Sequence, residues 1–208
     1  MKKINPKTTA LILIEMQNDF LSSEGKLNGL VSDVVKATAI VDRVNVAVEA
    51  ARKSGIPVIW VPIEFSEDYR EMGENPYGIL KVVKDHQAFV KGSWGAELYD
   101  QLHVKSNDIV IEGKHNISAF AGTNLEELLK ERGIDTILLG GFLSHVCVTA
   151  TMTSAYDTGF EVVTLVDAVA TAGMEAQKNV IAQVYPMFST PMEVNTLSDM
   201  LDLEVVTS

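Results

Sequence analysis

Short, almost wholly apolar runs recur along this chain, and the stretches between several of them space their apolar residues as helices do. Residues 9–14 read TALILI, 56–61 IPVIWV, 109–111 IVI, 136–139 TILL and 161–166 EVVTLV, with a last short run near Phe188. A strand with one wet face alternates polar and apolar residues, whereas a run that is apolar throughout reads as a strand buried on both faces. After a Ser-, Gly- and Asn-rich stretch at 22–32, Val34, Ala37, Val41, Val44, Val48 and Ala51 step by three and four. That spacing predicts one amphipathic helix closed by Gly55. Thr123-Asn124-Leu125-Glu126 has capping-box spacing ahead of Leu125, Leu128 and Leu129, with Gly133 as the stop. Further helices are predicted over about 147–157 and 174–185, and Gly140-Gly141 is expected to end the fourth strand. Strands of this kind alternating with helices predict an α/β doubly wound sandwich of three layers around a mainly parallel sheet.

At 208 residues, 47% of them hydrophobic, the chain is long enough for a sizeable core and short enough for one domain spanning 1–208. Its net charge of −11, with no Lys/Arg block, argues against nucleic acid and anionic membrane as partners and leaves a small molecule. Lys2 and Lys3 precede an apolar run that stops at Glu15, too short for a signal-peptide core or a bilayer span, so a cytoplasmic location is expected. One cysteine allows neither a disulfide framework nor a Cys-rich zinc site within one chain. Between Pro62 and Asn107 no strong pattern appears, which predicts short helices and a lid; the stretch holds Phe65, Tyr69, Tyr77, Phe89 and Trp94.

Ligands of doubly wound sheets bind beyond the carboxyl ends of the strands, and Glu15, Lys114 and the Cys147 loop each follow a strand. Cys147 comes after the turn at 140–146 and opens a helix, where the dipole and free N–H groups lower a thiol pKa. The bland alternative is a small apolar core residue. Lys114, in IEGKHNISAF, either pairs with a carboxylate or snorkels at the sheet rim. Glu15, in LILIEMQNDF, is a general base and acid if its setting is apolar, or simply the first polar residue of a loop; Asp19 lies further from the strand end.

Three segments go beyond these local readings: LILIEMQNDF, KHNISAFAGTNLEELLKERGIDTILLGGFLSHVCVTAT and SAYDTGFEVVTLVDAVAT. In sequence and order they resemble the isochorismatase-like cysteine hydrolase superfamily, which includes nicotinamidases, N-carbamoylsarcosine amidases and isochorismatases. The resemblance implies a six-stranded parallel sheet and an Asp–Lys–Cys triad, with Cys147 as nucleophile, Lys114 as its lysine and Glu15 where the family usually has Asp. It implies a cis peptide at Phe142–Leu143, an oxyanion hole from the amides of Leu143 and Cys147, pocket walls from Phe20 and Trp94, and a homo-oligomer, dimer or tetramer. Nicotinamidases carry a metal site of the form D-x-H, with a further His, after the second strand. Here that stretch reads PIEFSEDY, and His86, His103, His115 and His145 form no helical pair, so no metal and no cofactor are expected. The implied function is hydrolysis of a C–N bond in a small amide, ureide or N-carbamoyl substrate by a covalent cysteine mechanism. The alternatives are a nicotinamidase, an isochorismatase-type vinyl ether hydrolase, which needs a proton donor but no nucleophile, and a catalytically idle binding protein on the same fold. A nucleotide-binding protein would need a G-x-G-x-x-G or P-loop motif, and neither is present.

Overall fold

Every residue of β1 (Thr9–Ile14) is buried, and the fold is arranged around it. The structure, a computed structural model, describes residues 3–201, so Lys2 lies outside the described residues. After β1 come α1 (Asn18–Leu21), α2 (Asn28–Thr38), α3 (Ile40–Lys53), β2 (Val58–Val61), α4 (Gly78–Asp85), β3 (Ile109–Val110) and α5 (Leu125–Glu131). Then follow β4 (Thr136–Phe142), α6 (Thr149–Asp157), β5 (Glu161–Ala170), α7 (Met174–Asn179), α8 (Tyr185–Phe188), β6 (Thr190–Met192) and α9 (Leu197–Met200). Among the described residues the strands form one six-stranded, all-parallel sheet in the order β3-β2-β1-β4-β5-β6. The order reverses at β1, the position where open α/β sheets leave a crevice at their carboxyl ends.

Successive side chains of a strand point to opposite faces, and β1 serves two cores in this way. Leu11 and Leu13 join Val31 and Val34 of α2 and Val44 and Val48 of α3. Ala10, Ile12 and Ile14 join Leu125 and Leu129 of α5, Val148, and Met152 of α6 on the other face. Helices therefore cover both faces, which is the three-layer α/β architecture the apolar runs predict. No helix among the described residues is long and apolar enough to cross a membrane.

Three sequence expectations need correction. The single helix expected over 34–51 is two, and the first begins at Asn28 within the stretch read as loop. Ala39 takes a left-handed conformation, φ 49°, and breaks the axis. Apolar spacing reports which face is buried but not whether the axis bends, and both halves pack on the same core. At Gly140-Gly141 the fourth strand continues to Phe142. A Cβ on Gly141 (φ +114°) would lie 2.1 Å from the Ile14 carbonyl oxygen, so this glycine permits close approach to β1 and does not mark a turn. The fifth strand likewise runs past Val166 to Ala170, because Asp167 finds a partner at its edge, accepting from the Val194 N–H at 2.8 Å. The eight-residue α4 is one of the short helices expected between Pro62 and Asn107.

Candidate active site

The end of β1 is bent by its first polar residue. Glu15 has φ 54°, a left-handed conformation that is uncommon for a residue with a side chain. Its backbone is held there on both sides: its N–H donates to Val61 O at 3.0 Å and its carbonyl accepts from the Gln17 N–H at 2.9 Å. The carboxylate is 2% exposed and accepts a hydrogen bond from Lys114 Nζ, forming a buried ion pair. Lys114 is fully buried, four residues beyond β3, and its carbonyl accepts from the Glu64 N–H at 3.1 Å. A lysine so placed is not snorkelling; Glu15 is its counter-charge.

Cys147 is 4% exposed and lies in a π turn, Ser144–Val148, that leads from β4 into α6. Burial pushes its thiol well above the usual range, and the neighbouring Glu15 carboxylate pushes the same way, while Lys114 pulls in the opposite sense. This corrects the expectation of a thiol acidified by a helix start. Cys147 precedes the first residue of α6 and has lost its water, so desolvation outweighs the dipole. The Cys147 thiol therefore lies beside the Glu15–Lys114 ion pair with its ionisation disfavoured.

The Phe142–Leu143 peptide bond is cis. The Leu143 carbonyl accepts from the N–H groups of Val146 (3.0 Å) and Val148 (3.1 Å), which closes the turn around the thiol. Phe20 is buried behind this loop, stacked on Phe142 at 5.0 Å and edge-on to Phe89 at 5.0 Å. Trp94 is half exposed, in a 3-10 turn, Trp94–Ala96.

The sequence offers Asp19 only as a rival to Glu15 and gives Gln17 and Asn18 no role, yet these three residues hold the segment between Ile63 and Ala96. Gln17 Nε2 donates to Ile63 O (2.8 Å) and Ala96 O (2.7 Å), and its Oε1 accepts from the Ile63 N–H (2.9 Å). Asn18 Nδ2 donates to Trp94 O at 2.7 Å. Asp19 accepts from the N–H groups of Phe89 (2.7 Å) and Lys26 (3.1 Å), and a Cβ on Gly95 would lie 2.4 Å from its carboxylate. The available signal was a run of three polar residues between Met16 and Phe20, next to a buried strand. Among the described residues no group of three or more His, Cys, Asp or Glu is placed to hold a metal ion.

A family model described as the isochorismatase domain matches residues 9–196, which includes β1, Lys114, the Cys147 turn and β6. The chain belongs to the isochorismatase family. Within reach of that family it is 33% identical over 184 residues to the ureidoacrylate amidohydrolase RutB of Methylobacterium radiotolerans, an alignment covering 83% of this chain and 71% of that protein. Its fold superposes on a cysteine hydrolase from Pseudomonas syringae pv. phaseolicola with a TM-score of 0.83 at 23% identity, covering 97% of this chain and 95% of the other. The N-carbamoylsarcosine amidase of Thermoplasma acidophilum superposes with a TM-score of 0.70 at 27% identity, covering 94% of this chain and 98% of that one.

Proposed function

We propose that this chain hydrolyses the C–N bond of a small amide, ureide or N-carbamoyl compound through a thioester on Cys147. The observation that carries the reading is the buried Glu15–Lys114 ion pair set beside the chain's single cysteine, itself buried. A neutral thiol is a poor nucleophile and needs a base within reach. Glu15 takes the thiol proton, and Sγ attacks the substrate's carbonyl carbon. The charge passes to the carbonyl oxygen, where the amides of Leu143 and Cys147 donate to it. The C–N bond then breaks, Glu15 gives its proton to the leaving nitrogen, and an acyl or carbamoyl thioester remains on Cys147. Water gives a proton to Glu15 and its oxygen attacks the thioester; the C–S bond breaks and the proton returns to sulfur. Lys114 offsets the carboxylate's charge in a buried site.

The naming of relatives as a ureidoacrylate amidohydrolase and an N-carbamoylsarcosine amidase supports this substrate class. Ammonia release from a panel of ureides, N-carbamoyl amino acids and primary amides tests it. Turnover of at least one class is expected, together with a Cys147 adduct trapped on acid quench and seen by mass spectrometry. A Cys147→Ala variant that keeps full activity would remove the covalent mechanism.

A further inference from the structure

Behind the nucleophile turn lies a buried polar cluster for which the chemistry above has no use. Ser144, one residue after Leu143 and three before Cys147, is fully buried. Its hydroxyl donates to Gln177 Oε1 at 2.7 Å, and Gln177 Nε2 donates onward to Val169 O of β5 at 2.9 Å. The Ser144 carbonyl accepts two hydroxyls, from Tyr185 at 3.0 Å and Thr149 at 2.7 Å. One residue of the turn is thus gripped through its side chain from α7 and through its backbone from α8 and α6. Gln177 and Tyr185 are themselves buried. Buried polar pairs add little net stability over apolar groups of the same shape. What they do impose is direction.

The local sequence explains how two residues eight apart reach the same target. On an uninterrupted α-helix, eight steps of about 100° leave Gln177 and Tyr185 about 80° apart. Here a π turn, Val180–Val184, intervenes. It takes up one residue more than an α turn, which returns Tyr185 to within about 20° of the Gln177 face. Pro186 follows directly. In a regular helix its ring would collide with the carbonyl of Ala182, and the widened turn accommodates it. The proline, the register it imposes and the two donors converging on Ser144 form one causal chain.

We infer that Gln177 and Tyr185 are positioning residues for the nucleophile. By fixing Ser144 they hold the Leu143 amide on one side and the Cys147 thiol on the other in register with Glu15. The inference rests on the thioester reading above, and its test separates the two. Tyr185→Phe and Ser144→Ala each remove one hydrogen bond and nearly preserve volume. Each should lower kcat about tenfold, in line with the steep cost of small misplacements, with KM within about twofold. The unfolding midpoint should fall modestly, more in Ser144→Ala, which leaves Gln177 Oε1 without its donor, while the protein stays folded under assay conditions. Ser144→Ala combined with Gln177→Leu should be no slower than the slower single variant, since both delete the same bond; adding Tyr185→Phe should cost a further factor. If Gln177→Leu does not fold, the other two variants carry the test. The rate of Cys147 alkylation by iodoacetamide against pH needs no turnover, and its midpoint should move in Tyr185→Phe and Ser144→Ala. Folded variants with wild-type kcat and an unchanged alkylation profile would overturn the inference. So would activity lost only in proportion to the unfolded fraction. A shifted profile alongside a fully active Cys147→Ala would instead strike the thioester reading, and with it the expected loss of kcat, while the placement of the Cys147 thiol through Ser144 would stand.

Discussion

Glu15 is asked to move every proton in the proposed reaction from a place that solvent barely touches. Glu15→Gln should abolish turnover, because an amide cannot accept the thiol proton, whereas Glu15→Asp should keep the chemistry and lose roughly 10²-fold in rate from about 1 Å of retreat. Asp19 is the control, since its carboxylate is spent on the backbone of Phe89 and Lys26. Asp19→Asn should cost about 1–3 kcal/mol of stability with kcat largely retained in the folded fraction. A dead Asp19→Asn beside a normal Glu15→Gln would transfer the base to Asp19. Lys114→Met removes one half of a buried ion pair and strands the other, which costs about 3–5 kcal/mol and is readable by denaturant unfolding. The thiol has its own signature. An acid whose folded pKa lies above its unfolded value of about 8.5 keeps its proton longer when folded. Its contribution is therefore full below that pH and is lost as pH rises toward the folded pKa. Between about pH 8 and 10 the wild type should lose stability relative to Cys147→Ala; parallel curves would mean that the thiol titrates as it does in the unfolded chain.

At the scale of elements, the sequence was most informative where one face of one element decided the outcome. β1 falls on the residues its apolar run marks, and Glu15, Lys114 and Cys147 were legible because each stands just beyond a strand. The clamp of Gln17, Asn18 and Asp19 was not, because its partners are backbone groups on segments up to 79 residues away, which no local pattern encodes. Burial of the Cys147 thiol was hidden for the same reason, being set by whatever packs over the turn. Gly140-Gly141 was misread because a glycine pair signals a turn along the chain but can equally signal contact across it. That distinction predicts the effect of Gly141→Ala. The new methyl would meet the Ile14 backbone at 2.1 Å, at a φ of +114° that alanine resists, so β4 must leave β1 or the strand end must distort. Little soluble protein is expected, and whatever folds should have lost turnover, since Ile14 and Gly141 flank Glu15 and the Cys147 turn. A soluble, fully active Gly141→Ala by circular dichroism and ammonia assay would refute the close approach.

At the scale of the whole molecule, the two cores are not independent, since they share their central strand residue by residue. Leu13 belongs to one, Ile12 and Ile14 to the other, and hydrogen bonding to β2 and β4 locks all three in register. Peeling the α2 and α3 layer away would expose one face of β1 to water while the other stayed packed, an arrangement that parallel sheets do not tolerate. We therefore propose that the chain unfolds as one domain, and two probes already in the sequence can test it. Trp60 is fully buried in the first core, and Cys147 belongs to the second. In a Trp94→Phe background, tryptophan emission reports the opening of one layer and thiol labelling the other. Ile12→Ala deletes packing only from the Cys147 side and should cost about 2–5 kcal/mol. If the layers are coupled, the denaturant midpoint of Trp60 emission falls by as much as that of Cys147 labelling, although the mutation lies across the sheet from the indole. A labelling midpoint that drops while emission stays at its wild-type position would mean that the α5 and α6 layer opens alone, carrying the Cys147 turn with it.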